Sequence, residues 1–440
     1  MVSLSSYFVN LVDILQRPDH DDGNRMETMM PDKLADRRIP AGDDFLSRAE
    51  VEAITPDELI ARITALKPLI ASKAASAERE RRPDDEVWAA LRRSGYFYLY
   101  VPRRFGGLEF DPDTYISATL PIAEACPSTG WTACFAAEHN WLIAQMPEAT
   151  QSEVWGKTPY VIAPSAASPP GSATPVAGGY RLNGRWKWGT VVMNADWVML
   201  NALEPVEGGP PIARMMLLRA EEVEVLDTWQ MAGMAATGSN DIRVDDVFVP
   251  DGYQFAVQPV RSGRGNGRAI YGSGLYGSPM LPNLCVTAAI PALGAARQAV
   301  QLCRERLQTH VKLGGTAKSV EKPAAQMRLA RADLLARCAE RTIRSAAREN
   351  LQTGEIDEPE QTGERIRIRA EIAIAVQQCV EAVRTCCEAI GSSVHALENP
   401  MQRLLRDVQV MQSHIVYDLD IATELHGRTL VGLPPNSLLL

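Results

Sequence analysis

The 440-residue chain contains no apolar run approaching the roughly 18–20 residues that a membrane span needs. It has no surplus of positive charge. Its 45 Lys and Arg face 54 Asp and Glu, a formal net charge of −9, which argues against a nucleic-acid binder working through a general basic field. Cysteine is sparse: eight residues, no disulfide-framework density and no Cys-x-x-Cys pair. The adjacent Cys386 and Cys387 are too close for ordinary disulfide geometry and are expected to pack within a helix. No Walker A motif and no His-Glu-x-x-His is present, so metal catalysis has no support. Met1 to Gln16 lacks a basic leading segment and carries Asp13 in its apolar stretch, so no secretory signal is expected. These absences point to a reducing, cytoplasmic setting. What remains is a globular composition, 46% hydrophobic and 22% charged, at a length that normally folds as two or three domains.

Residues 1–50 read as a partly disordered extension with one short helix near Leu11–Leu15. Order is expected from Thr55, where Thr can cap, Pro56 fits the first helical position and Glu58 closes a capping box. Leu59, Ile60, Ile63, Leu66 and Ile70 follow at helical spacing. Further helices are predicted from Asp84 to about Ser94, over Thr114–Ala125 and over Thr129–Ala144, making 51–160 a helical domain. A β domain with a glycine-rich connection follows over 161–280. Asn183-Gly184, flanked by Tyr180–Leu182 and Arg185–Trp188, gives the strongest short hairpin signal, and Trp197–Leu203, Ala213–Leu218 and Ile242–Val249 read as strands. Four long helical segments, about 284–312, 323–353, 362–390 and 400–426, predict a four-helix bundle over 281–427, with a tail at 428–440.

Gly272-Ser273-Gly274-Leu275-Tyr276-Gly277 matches a lone dinucleotide fingerprint, but prolines at 279 and 282 and the lack of an acidic residue at 292–297 make a flexible linker the better reading. Among six histidines, His139 sits on an apolar, aromatic helix and His414 follows Arg406-Asp407. Taken alone, each reads as a core or interface histidine, the Trp131, Trp186 and Trp188 group as core, and Arg406-Asp407 as a surface or interface ion pair. These residues by themselves yield no reaction.

Several motifs in one order change that reading. Pro102-Arg103-Arg104-Phe105-Gly106-Gly107, Gly178 to Trp186, Met231 to Ser239 and Asp245-Asp246-Val247-Phe248-Val249-Pro250, set in a helical–β–helical layout, resemble the acyl-CoA dehydrogenase fold over about residues 51–427. Met411-Gln412-Ser413-His414-Ile415-Val416 stands where many acyl-CoA dehydrogenases carry a Tyr-x-Gly-Thr-like turn. It looks like the flavin-dependent monooxygenases of two-component systems, the group of hydroxyphenylacetate and hydroxylated-steroid hydroxylases. The resemblance implies an α+β multidomain enzyme that takes reduced flavin (FMNH2 or FADH2) from a separate NAD(P)H-dependent flavin reductase. With O2 as co-substrate it would form a flavin C4a-hydroperoxide and hydroxylate an aromatic or polycyclic phenol, as a homotetramer. Residue by residue, it implies His139, Ser165 and His414 as catalytic groups, His414 as the base or peroxide-side partner and His139 as a contact to the substrate hydroxyl. It also implies cofactor contacts from Trp131, Ser165, Thr190, Ser392 and Ser393, apolar walls from Trp131, Phe135 and Trp141, and a phosphate-holding arginine among Arg268, Arg304 and Arg306. Alternatives within the resemblance are oxygenation of nitrogen on an amino sugar or of sulfur in a heterocycle, and acyl-CoA dehydrogenation.

Overall fold

The computed structural model describes residues 45–309, 311 and 318–437. The short helix expected near Leu11–Leu15 lies outside them. Packing begins ahead of Thr55: the Phe45 ring meets Tyr160 edge-on at 5.3 Å between centroids, and α1 (Arg48–Glu52) opens with a capping box between Ser47 and Glu50. In α2 (Pro56–Ala65), Thr55 caps the Glu58 amide. The helical spacing that runs on to Ile70 is split at Leu66, since Pro68 cannot continue the same helix without meeting the carbonyl four residues back, and α3 (Lys67–Glu80) starts afresh. Then come α4 (Asp85–Ser94), α5 (Pro112–Ala125), α6 (Pro127–Ile143) and α7 (Glu148–Lys157).

Every residue of α6 is buried, the mark of a central helix with no solvent face. Small residues let it sit that deep. A Cβ on Gly130 of α6 would lie 2.7 Å from Ala123 of α5, and one on Gly294 of the first bundle helix would lie 2.4 Å from the Ala123 Cβ.

The β region is one seven-stranded sheet of order β5-β6-β2-β1-β3-β4-β7, with β1 Ser165–Val176, β2 Gly179–Trp186, β3 Trp197–Glu204, β4 Ile212–Arg219, β5 Glu224–Leu226, β6 Asp241–Pro250 and β7 Gln254–Ala256. β1 and β3 are parallel; the other pairs are antiparallel. Val198, Leu200, Met216 and Leu218 of β3 and β4 fill the sheet's own core, whereas Trp197, Met199, Met215 and Leu217 face the helical core, so these two strands are buried on both sides.

Two readings of this region need correction. Asn183-Gly184 is not a hairpin turn: β2 runs through it, the register against β6 shifts between Leu182 and Gly184, and the Asp246 amide donates to Asn183 Oδ1 at 2.7 Å. Glycine is required there for close approach, because a Cβ would lie 2.8 Å from the Trp186 ring and 3.0 Å from the Gly171 Cα. β1 gave no strand signal, since it carries Pro169, Pro170 and Pro175; the register against β3 shifts between Ala166 and Gly171, where the first two prolines fall.

The glycine-rich connection is packed rather than loose. It holds α8 (Val257–Arg261) and α9 (Asn266–Tyr271), and Leu275 and Tyr276 carbonyls accept from Trp141 Nε1 (2.6 Å) and Gln145 Nε2 (3.1 Å). The bundle comprises α10 (Met280–Thr309), α11 (Pro323–Thr353), α12 (Glu360–Ile390) and α13 (Pro400–Met411), followed by α14 (Leu419–Leu430). Cys386 and Cys387 are buried within α12, as expected. The fourth segment is not one helix from 400 to 426. It breaks after Met411, because the buried Arg369 of α12 donates to the Val416 carbonyl (Nε, 3.1 Å) and the Ile415 carbonyl (Nη2, 3.0 Å), and Tyr417 donates to the Cys285 carbonyl at 3.1 Å. Among the described residues, no helix is long and apolar enough to cross a membrane.

Candidate active site

The break in the fourth bundle segment opens onto a cavity of about 130 Å³ between α6, the bundle and the segments that follow β2 and β5. Trp131, Trp188, Thr190, Trp229, Met231, Met234, Thr237, Ser239, Val410, Met411, Ser413 and His414 line it. Three indoles and three thioethers give flat, polarizable walls. Hydroxyls gather on one side: Trp131 Nε1 donates to Thr190 Oγ1 at 3.2 Å, Thr190 and Ser239 hydroxyls lie 3.1 Å apart, and Ser239 and Thr237 hydroxyls 2.8 Å apart. Trp188 is 58% exposed at the mouth and has φ 70°; Val191 (φ 64°) and Met234 (φ 59°) share this left-handed conformation, costly for such side chains and concentrated around the cavity.

Met234 is held by Asp407, and here the ion-pair reading of Arg406-Asp407 is corrected. Asp407 is buried, with Oδ1 accepting from the Met234 amide at 2.7 Å and Oδ2 from the Ser128 hydroxyl at 3.0 Å. Desolvation raises its pKa to about 6, opposed by those two hydrogen bonds. Arg406 turns outward, to Glu78 and the Ala232 carbonyl.

His139 and His414 terminate one row of rings. Trp131, Phe135 and His139 recur every four residues on one face of α6. Centroids are 5.5 Å apart from His414 to Trp131, 5.0 Å from Trp131 to Phe135 and 5.5 Å from Phe135 to His139. The histidines therefore do not touch: two aromatic rings separate them, and His414 lines the cavity whereas the buried His139 does not.

Their nitrogens are committed in opposite senses. His139 Nδ1 lies 2.7 Å from the Ala163 carbonyl, which can only accept, so Nδ1 carries the proton and Nε2 is the free acceptor. The Val416 amide donates to His414 Nδ1 at 3.4 Å, so His414 carries its proton on Nε2. Burial lowers both pKa values to about 4, with the Ala163 contact opposing the shift at His139. A histidine with an ordinary pKa was expected, suited to proton movement at neutral pH. Both imidazoles are instead neutral at pH 7.

The other expected site residues are scattered. Ser165 begins β1, two residues after the carbonyl that holds His139, but its hydroxyl points to Met215 Sδ at 3.8 Å and it is not among the residues lining the cavity. Ser392 and Ser393 are exposed on a 3-10 turn after α12, also outside the cavity. Trp141 is wholly buried with its indole bonded to the Leu275 carbonyl, so it is not a cavity wall. Arg268 is engaged by the Gly354 carbonyl and Glu355, while Arg304 and Arg306 are exposed on α10. Sequence reasoning missed Trp188, Trp229, Met231, Met234, Thr237, Ser239 and Ser413 as site residues. In the sequence, Met231 to Ser239 stands out only as a fold motif.

This geometry fits a flat heteroaromatic ring with a hydrogen-bonding edge: indoles and thioethers for its faces, the Thr190 and Ser239 hydroxyls for its rim. Comparison with known proteins gives the class. Residues 64–156 match the acyl-CoA dehydrogenase N-terminal domain family, and residues 286–419 the acyl-CoA dehydrogenase C-terminal domain family. Within that fold the chain is 34% identical to the pigment production hydroxylase of Rhodococcus sp., over 88% of this chain and all of that protein. It is 30% identical to the oxygenase component of an FADH(2)-dependent resorcinol hydroxylase from Rhizobium sp., over 86% of this chain and 95% of the relative. The crystal structure of XiaF from Streptomyces sp., in complex with FADH2 and glycerol, superposes with a TM-score of 0.80 at 29% identity, covering 89% and 98% of the two chains. The chain belongs to the flavin-dependent monooxygenases of acyl-CoA dehydrogenase fold, the oxygenase components of two-component systems, which use reduced flavin and O2.

Proposed function

We propose that this chain hydroxylates an aromatic or polycyclic phenol, with reduced flavin supplied by a separate NAD(P)H-dependent reductase. The observation that carries the reading is the row His414–Trp131–Phe135–His139, one end of which opens into an apolar cavity rimmed by hydroxyls. Bound reduced flavin would supply the oxygen activation, which is the cofactor's own chemistry.

The chain's residues do the rest. Trp131, Trp229 and the methionines exclude water that would divert the activated oxygen. Thr190, tied to Trp131 and Ser239, would hold a hydrogen-bonding edge of the ring system. His414 presents its Nε2–H as a fixed donor toward negative charge developing on oxygen, and needs no protonation to do so. His139, with Nε2 as acceptor, is the group that can take the hydrogen of a phenolic hydroxyl. The base role moves from His414, where the resemblance put it, to His139. Ser165, two residues beyond the carbonyl that holds His139, is kept as a contact near the same end of the row, and Ser392 and Ser393 as contacts to a more distant part of the cofactor. The eight thiols are all free, which suits a reducing, cytoplasmic compartment. A homotetramer is supported by apolar side chains left open on α11, Met327 at 72% and Leu334 at 60% exposure. Its test is the sedimentation mass, four chains against one.

The test of function is to mix the protein with anaerobically reduced flavin, admit oxygen-18 gas and assay a panel of phenols. The expected result is a catechol-type product carrying one labelled atom. His414→Ala should lower product yield on the order of 100-fold while reduced flavin still binds. Free-rate flavin reoxidation and no labelled product with any phenol would overturn the reading.

A further inference from the structure

Beside His139 lies a carboxyl group that nothing above uses. Glu138 is 2% exposed; its Oε1 accepts from Asn283 Nδ2 of α10 at 3.0 Å, and its Oε2 is buried without a hydrogen-bond partner. That bare oxygen is 3.7 Å from His139 Nε2, the nitrogen that the Ala163 carbonyl leaves without a proton. The imidazole is thus pinned on one side by a carbonyl and faced on the other by a carboxyl oxygen with no competing partner. Both groups are out of water, so a charge on the carboxyl would act on the imidazole with little screening. The other titratable groups that feel Glu138 are Tyr100, Tyr115 and Cys134, and burial pushes the ionisation of each well above its ordinary value. None of them carries charge near neutral pH.

We propose that Glu138 and His139 form one proton-holding unit, in which Glu138 is the positioning residue that governs whether His139 Nε2 can take the substrate's hydroxyl proton. The step is a plain transfer: the substrate O–H bond breaks, an N–H bond forms at Nε2, and the electron pair stays on the substrate oxygen. His139 alone is a poor acceptor in that dry site. An ionised Glu138 beside Nε2 stabilises the imidazolium, and the unit becomes a base. Burial raises the Glu138 pKa to about 8, against the Asn283 hydrogen bond, which brings the unit near phenols such as tyrosine at about 10. The substrate step rests on the phenol reading above; the coupling between the two side chains does not.

The coupling is read without flavin. In nitrogen-15 histidine-labelled protein, with His139 signals assigned through His139→Asn, the Nε2 resonance should move with a midpoint near pH 8. Glu138→Gln should abolish that step, and Asn283→Ala, which removes the bond favouring the carboxylate, should shift the midpoint upward. A flat His139 signal from about pH 6 to 9 in the unaltered protein, or a step that survives Glu138→Gln, overturns the proposal. With flavin and a phenol, kcat/KM should rise through the same window and lose that rise in Glu138→Gln. A spectroscopic step without a kinetic one upholds the pair and overturns only the assignment of His139 to the substrate.

Discussion

Glu138 and His139 are neighbours whose burial acts on stability with opposite sign. His139 and His414 have folded pKa values lowered from 6.5 to about 4, so their contribution is complete above about pH 6.5 and is lost as pH falls toward 4. Glu138 is raised from 4.5 to about 8, so the folded state keeps a proton that the unfolded chain has released, and stability falls as pH rises through that interval. From about pH 7 to 8 the histidine contribution is nearly complete and Glu138 dominates, at roughly 1 kcal/mol over that pH unit. Urea midpoints measured across this range should decline in the unaltered protein and level out in Glu138→Gln. Equal slopes in both would show that the carboxyl is ionised in the fold.

At the scale of elements, α6 is the part on which the site depends, since one face carries Trp131, Phe135 and His139. Gly130→Ala adds a methyl group 2.7 Å from the Cα and Cβ of Ala123, where backbone cannot yield. Overpacking costs about 1–3 kcal/mol, against about 1 kcal/mol gained in helix propensity. The variant should therefore be destabilised and should bind flavin more weakly, measured by thermal melts with and without flavin; an unchanged melting temperature would contradict the tight crossing. Helix starts were legible because Thr55 and Asp84 cap locally. The break after Met411 was not, because Arg369 makes it from another helix. Nor was β1, whose prolines hide a strand held by neighbours on both sides. Gly184 misled for a related reason: its need is close packing against Trp186 and Gly171, which a local turn rule cannot see.

For the whole molecule, motif order carried the fold and the enzyme class, while the cavity came only from coordinates. Of the site residues that the resemblance implies, Trp131, Thr190 and His414 line it; His139, Ser165, Ser392 and Ser393 do not. The difference is one of distance along the chain: Asp407, Ser128 and Met234 shape the wall together from three elements, and no spacing rule links them. The central claim is that this cavity, bounded by the segments that follow β2 and β5, by α6 and by the broken fourth segment, is where the flavin ring sits. A crystal structure of the flavin-bound protein tests it most directly. The expected result is the ring system against Trp131, its edge on the Thr190 and Ser239 hydroxyls and His414 Nε2 turned toward it. Density for the ring elsewhere, or His414 directed away from it, would contradict the account.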